Sequence, residues 1–345
     1  MAVEEHLQAL REGVEAWNAW RKRNPGVRPD LAGAKLAKAK LSNVDLARAR
    51  LADADLEGAD LEGANLAGAS LAGADLRQAH LAGANLTAAI LQETRLGEAH
   101  LAAARCVDTN FWRAYLGKAD LSEANLTGAK LVGANLWRAN LTRADLARAS
   151  LAGAHLFQAA LVGANLANAH LAGTNFWCAD LAGANLSGAD LLKANLSEAH
   201  LAGAKLSRAS LERAALVETN LAGADLRGCR VYGISAWNVV LEAADQKDLV
   251  ITRHGEAKIT VDNLEVAQFI YLLLNNERIR DVIDTIGKRG ILLLGRFTGG
   301  GSGFLSGSGR SCVSGAGCRW CSTSTNRKLK TLRRRFGCSP ACPTS

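Results

Sequence analysis

A large apolar residue recurs at every fifth position from Leu31 to Val231 without one slip. Of these 41 positions, 37 are Leu; the others are Cys106, Phe111, Phe176 and Val231. The position two before is Ala in 34 of the 41 units, and the one between is Asp or Asn in 21. The unit therefore reads A-(D/N)-L-x-x. Few folds accept this rhythm. In an α-helix five residues turn about 500°, so the leucines would scatter round the axis instead of forming a stripe. In a strand, positions i−2 and i share one face, but the next inward pair begins at i+3 and breaks the alternation. The rhythm fits a short extended piece followed by a bend, with Ala and Leu inward and three residues outward. Repeated bends close a coil, and coils stack at about 4.8 Å through backbone hydrogen bonds.

The outward residues give the number of sides. Trp137, Phe157 and Trp177 are spaced by 20, as are His80 and His100. Twenty residues are four units, so a four-sided coil stacks each set into a column. The array then makes roughly ten coils, a rod about 50 Å long. The expected fold class is an all-β solenoid.

The A-(D/N)-L-x-x array resembles the pentapeptide repeat family. That resemblance implies a right-handed quadrilateral β-helix. It is specific for fold and uninformative about activity, because a solenoid is a scaffold. Some members of the family bind a DNA topoisomerase by imitating DNA, which needs an acidic surface. Residues 30–231 carry 20 Lys+Arg and 20 Asp+Glu, so this array lacks one overall. The formal charge of +8 lies wholly in residues 299–345, which hold eight basic residues and no acidic one. The basic balance thus says nothing about the rod's partners, and no nucleic acid is expected among them.

A solenoid must cover its open apolar ends. Residues 1–29 form the expected N-terminal capping helix, with Leu7, Leu10, Val14 and Trp17 at helical spacing before Pro25 and Pro29. Trp17 and Trp20 followed by Arg21, Lys22 and Arg23 offer a membrane-surface reading. Glu4, Glu5, Glu12 and Glu15 dilute that charge, and no membrane partner is expected. The repeat domain is placed at 30–241, with Leu241 as its last residue in register. Ile259–Val261 reads as a short strand. Residues 262–286 read as helix on Leu264, Ala267, Ile270, Tyr271 and Leu274, with Asn275 and Asn276 as a possible division.

Within the array, Cys106, Phe111 and Phe176 are core substitutions. Trp137, Phe157 and Trp177 form the candidate partner-binding patch, since contiguous exposed apolar surface marks interaction sites. The competing reading lays the rings flat over the neighbouring coil. His80, His100, His155, His170 and His200 share the Asp/Asn slot without the convergence a metal needs. No metal, cofactor or catalytic site is expected, because outward carboxylates on a regular rod have no pocket to tune them. Cys106 and Cys229 fall inward as small apolar groups. With no signal peptide or long apolar run, a reduced cytoplasmic protein is expected.

Residues 242–298 read as a helical linker and the first strand of an α/β domain, Ile291–Thr298. A helix should follow, but residues 299–345 turn to Gly, Ser, Cys and Arg. Cys318-x-x-Cys321 and Cys338-x-x-x-Cys342 have zinc-like spacing, and a basic disordered tail is the other obvious reading. The preferred expectation is a one-base frameshift near Gly299–Gly301. Back-translated and shifted by one base, Ser322–Thr325 becomes Phe-Asp-Phe-Asp, and the tail becomes helix, strand, helix. The recovered V-V-F-D-F-D resembles TIR-like nucleotide-binding domains attached to some pentapeptide repeat proteins. The function expected is a non-catalytic protein–protein interaction scaffold with an unknown protein partner. A homo-oligomer through a solenoid end is a further option. The alternatives are a topoisomerase-binding DNA mimic and the remnant of an NAD- or nucleotide-handling enzyme.

Overall fold

The computed structural model describes residues 2–278 and 281. The chain divides into two compact units, Met1–Arg280 and Asp281–Ser345. Apart from Asp281, the second lies outside the described residues, and with it the expected strand at 291–298, the zinc-like cysteines and the out-of-frame tail.

In the first unit the pentapeptides between the two end coils share one hydrogen-bonding scheme. The Leu N–H donates to the carbonyl 19 residues on (Leu31 to Arg50, 2.7 Å), and the second residue after Leu does likewise (Gly33 to Ala52, 2.8 Å). The residue before Leu bridges its counterpart 20 residues on, always parallel, from Asp30↔Arg50 to Arg230↔Val250. The Ala N–H closes a turn onto the preceding Leu carbonyl, as from Ala34 to Leu31 at 3.0 Å. One N–H per unit is left, on the residue after Leu. Where Asp or Asn stands two positions earlier, its Oδ1 accepts that N–H: Asn85 from Thr87 at 3.1 Å, Asp145 from Ala147 at 3.1 Å. An Asx side chain replaces a backbone acceptor in this way. The Asp/Asn preference is thus a solution to the last unsatisfied donor of the unit.

The bend puts the second residue after Leu at positive φ, as a type II turn requires. Glycine serves in many units, but Ala88 (φ 55), Arg113 (φ 52) and Cys178 (φ 54) adopt the same conformation. Four such bends return the chain to its starting side after 20 residues, the offset of the bridges.

The core is a column of leucines. Every residue of the Leu slot from Leu41 to Val231 is buried, with Cys106, Phe111 and Phe176 fully so. Thr109, Thr174 and Thr219 stand in the Ala slot and are also fully buried. Each hydroxyl donates to a Leu carbonyl one coil earlier: Leu86 at 2.7 Å, Leu151 at 2.9 Å and Leu196 at 2.8 Å. A buried hydroxyl without such a partner would be costly.

At the N-terminus there are two helices where one was expected, α1 (Glu4–Arg11) and α2 (Val14–Arg23). Gly13, at φ 108, breaks the chain between them. Trp17 is fully buried, and its Nε1 donates to the Asp45 carbonyl at 2.8 Å. Arg21, also buried, donates to the carbonyls of Val27 (2.7 Å) and Ala47 (2.9 Å). Both side chains are therefore engaged by the cap.

The array runs beyond Leu241, contrary to the expected boundary. Bridges Asp225↔Asp245 and Arg230↔Val250 keep the register, although Gln246 fills the Leu slot. The ladder belongs to the backbone, so a polar residue can hold the slot where something else covers it. Here Gln246 accepts the Leu264 N–H at 2.9 Å. In the same region β1 (Ala215–Val217) pairs in parallel with β2 (Ser235–Trp237). β3 (Leu249–Val250) then pairs antiparallel with β4 (Thr260–Val261). Helix α3 (Leu264–Asn275) starts at Asn263, whose side chain accepts the Val266 N–H. It stops at Asn275, the expected division. Leu264 and Ala267 are buried as the helical pattern requires, but Leu274 is 67% exposed. Gln268 is buried in its place and accepts the Ala236 N–H at 2.6 Å.

Candidate interaction surface

The 20-residue coil decides which outward side chains share a column. Trp137, Phe157 and Trp177 lie in consecutive coils on one side of the rod, in the register Asn135↔His155↔Asn175. The Trp137 and Trp177 N–H groups donate to Asn135 Oδ1 (3.0 Å) and Asn175 Oδ1 (3.1 Å). Those Asx bonds fix the backbone from which the rings project. Phe157 and Trp177 stack with centroids 4.8 Å apart and planes 13° from parallel. Trp137 has two cations over its ring, Arg138 Cζ at 5.1 Å and Lys118 Nζ at 5.8 Å from the ring centre. All three rings are half-buried rather than exposed.

Sequence reasoning overlooked two extensions of this column. Tyr115, 42% exposed, lies across Gly97 and Gly117: a Cβ on either glycine would come within 2.8 Å of its ring. Those two glycines occupy the slots one and two coils before Trp137, so the missing side chains make room for the tyrosine. Trp237, 54% exposed, stands at the same register three coils after Trp177. Counting by twenties finds Trp237. Tyr115 belongs to a different slot, and only the paired glycines signal it. Around Trp237, the side chains of Phe269 and Leu272 on α3 line a cleft of about 300 Å³.

The histidines form a second column. His80 and His100 stack at 5.0 Å, close to the coil spacing expected for them. Asp60 and Asp120 occupy the same slot in the flanking coils, and the Ser42 hydroxyl, 2.6 Å from Asp60, holds that carboxyl below its ordinary value. His200 lies 3.1 Å from Asp180. No three metal-ligating side chains converge among the described residues. Burial pushes the thiols of Cys106 and Cys229 up to about 12, leaving them un-ionised at neutral pH.

The repeat has a recognised counterpart. Eight copies of the family model described as Pentapeptide repeats match the chain, in stretches from 30–68 to 194–231 that mostly overlap. The chain belongs to the pentapeptide repeat family. Among solved pentapeptide repeat proteins, HetL, involved in heterocyst differentiation regulation in the cyanobacterium Nostoc sp. strain PCC 7120, is 32% identical. The match covers 68% of this chain and 95% of HetL, with a TM-score of 0.27. Rfr23 from the cyanobacterium Cyanothece 51142 is 34% identical over 34% of this chain and 90% of its own, with a TM-score of 0.27. QnrB1, a plasmid-mediated fluoroquinolone resistance protein, is 19% identical over 52% of this chain and 88% of its own, with a TM-score of 0.34. At these scores the family assignment rests on the repeat match rather than on superposition. Comparison with curated proteins finds no match. Among the described residues, no helix is long and apolar enough to cross a membrane.

Proposed function

We propose that this pentapeptide repeat protein is a non-catalytic scaffold that binds a protein partner through the column of Trp137, Phe157 and Trp177. The observation that carries the reading is the stack of Phe157 on Trp177, with Trp137 in the same column beneath the cations of Lys118 and Arg138. Aromatic and Arg side chains are what interface centres are enriched in. A rigid ladder presents them at little conformational cost, because the backbone fixes their spacing before any partner arrives. The right-handed sense of the coil and a reduced cytoplasmic setting belong to the same reading.

The DNA-mimic alternative needs excess acid along the rod. The even count of 20 Lys+Arg and 20 Asp+Glu in residues 30–231 speaks against it. A gyrase supercoiling assay with the full chain, showing inhibition, would restore it. The idea that a TIR-like domain once followed stands on the tail's shifted reading alone. The gene sequence across codons 298–302 tests it, and an intact frame there removes it.

The scaffold reading is tested by capture with the full chain against a variant carrying Trp137→Ala, Phe157→Ala and Trp177→Ala. Partners held by the unaltered protein should be lost from the variant while its circular dichroism stays the same. An unchanged set of partners from a folded variant overturns the assignment of this column.

A further inference from the structure

The N-terminal end of the rod is covered on two of its four sides. On the Leu46 side, Trp17 and Arg21 donate to the carbonyls of Asp45 and Ala47, and Asn18 Oδ1 accepts the Asp45 N–H at 2.8 Å. On the Leu31 side, the Val3 N–H donates to the Asp30 carbonyl at 3.0 Å, and His6 Nδ1 accepts the Asp30 N–H at 3.1 Å. The Leu36 and Leu41 sides have no such cover. One coil further on, the N–H groups of Asp55 and Asp60 reach back to the carbonyls of Ala34 and Ala39, both at 2.9 Å. By the same geometry the N–H groups of Lys35 and Lys40 point out of the end. Neither has a partner among the described residues.

Behind this edge is an open cavity of about 750 Å³, with Leu7, Leu10, Leu36, Ala39 and Leu41 among its walls. Leu36 and Ala39 are only half-buried, whereas Leu56 and Ala59, one coil on, are fully buried. The end therefore combines two outward N–H donors, one on each of two adjacent sides, with an open cavity that has both apolar and charged walls. That is what a sheet edge offers to an added strand: main-chain bonds for affinity and a pocket for alternate side chains.

Charge selects the occupant. Lys35, Lys38 and Lys40 are all exposed along this edge. They outnumber the acids beside them, Asp53 in the cavity wall and Asp55, 3.9 Å from Lys35, while Glu4 pairs with Arg11. A second copy docked edge to edge would bring these lysines against their own equivalents, and lysine on an edge is a common guard against such self-pairing. An acidic strand meets no such penalty. We infer that the half-capped N-terminal end is a docking site for an acidic peptide that pairs with the Lys35 side, bends as the coil does, and pairs with the Lys40 side, with an apolar side chain in the cavity. The site is separate from the aromatic column and does not depend on it.

The test uses the full chain and two fluorescein-labelled peptides of about nine residues with a central Gly for the bend, one otherwise alternating Glu and Leu and the other Lys and Leu. Anisotropy should report binding of the acidic peptide only. The amides of Lys35 and Lys40 should exchange fast in the free protein and slow by roughly tenfold or more when it is added. Lys35→Glu with Lys40→Glu should weaken binding about tenfold or more. If that variant fails to fold, the unaltered protein gives the same information, because salt should weaken its binding steeply. Equal binding of the basic peptide overturns the proposal, as does no binding near 1 mM. Protection of the two amides that rises with protein concentration alone also overturns it, because the occupant would then be a second copy.

Discussion

The ring of Phe157 lies on that of Trp177, one coil apart, at 4.8 Å and 13° from parallel. The separation equals the coil spacing, so the backbone ladder sets it and the rings have only to choose rotamers that meet. Such pairs are worth about 0.5–1.5 kcal/mol beyond their buried area. A double-mutant cycle on Phe157→Ala and Trp177→Ala, followed by urea unfolding, should return a coupling in that range. A coupling indistinguishable from zero would mean that the rings are neighbours without mutual stabilisation.

The bends make opposite predictions at two sites of identical geometry. Ala88 holds φ 55, a conformation that costs a residue with a Cβ about 1–2 kcal/mol. Ala88→Gly relieves that cost and loses somewhat less in chain entropy, about 0.4–1 kcal/mol. Its thermal midpoint should equal or slightly exceed that of the unaltered protein. Gly73 sits at φ 69, and a Cβ there would collide with the Asp53 carboxylate one coil earlier. Gly73→Ala should lower the midpoint, and Asp53→Gly should recover part of the loss.

Thr174 tests the buried polar bonds. Its hydroxyl reaches the Leu151 carbonyl at 2.9 Å inside the core. Thr174→Val keeps the shape and removes the donor, while Leu151 keeps its turn bond from Ala154. A loss of about 1 kcal/mol is expected by chemical denaturation. Thr174→Ala restores the commonest residue of this slot but leaves a methyl-sized gap, so it should cost at least as much.

Cysteine reactivity should follow burial. Cys106 and Cys229 are fully buried, with thiols pushed up to about 12. Iodoacetamide at mildly alkaline pH should leave both unlabelled in the native protein and label both after unfolding, as read by peptide mass mapping. Native labelling of Cys106 would mean that the coil opens there.

Acid should loosen the rod in a defined sense. Hydrogen bonds from Arg77 and Arg227 hold the Asp75 and Asp225 carboxyls below their ordinary value of 3.8. A carboxyl with a depressed native pKa stabilises the fold fully above its unfolded value, and the contribution is lost as pH falls through the native one. The thermal midpoint should therefore hold steady from neutrality to near 3.8 and fall below it. Asp225→Asn should shallow that fall.

The period of five was enough to read the coil, its four sides and nearly every buried residue, because one backbone scheme serves all units. What escaped were features set by neighbours rather than by the repeat. Gly13 divides the cap because it adopts a φ of 108, which a helical pattern does not announce. Gln246 extends the array past Leu241 because Leu264 supplies its hydrogen bond from a helix beyond the repeat. Leu274 points to solvent while Gln268 is buried, because the Ala236 N–H needed an acceptor. In the candidate site, Trp137, Phe157 and Trp177 were legible as a column by counting. Their half-burial, and the lean of Tyr115 over Gly97 and Gly117, depend on side-chain rotamers that spacing cannot give.

The 20-residue closure of each coil also sets a rule for how such a gene can change length. Adding or losing a whole coil slides everything downstream along the axis and leaves each column on its own side. Adding or losing a single pentapeptide keeps every leucine inward, so the core tolerates it. It also swings all later residues by a quarter turn, moving Trp177 off the side it shares with Trp137. Selection for folding alone would accept insertions of five, whereas selection for a surface that spans several coils accepts only twenties.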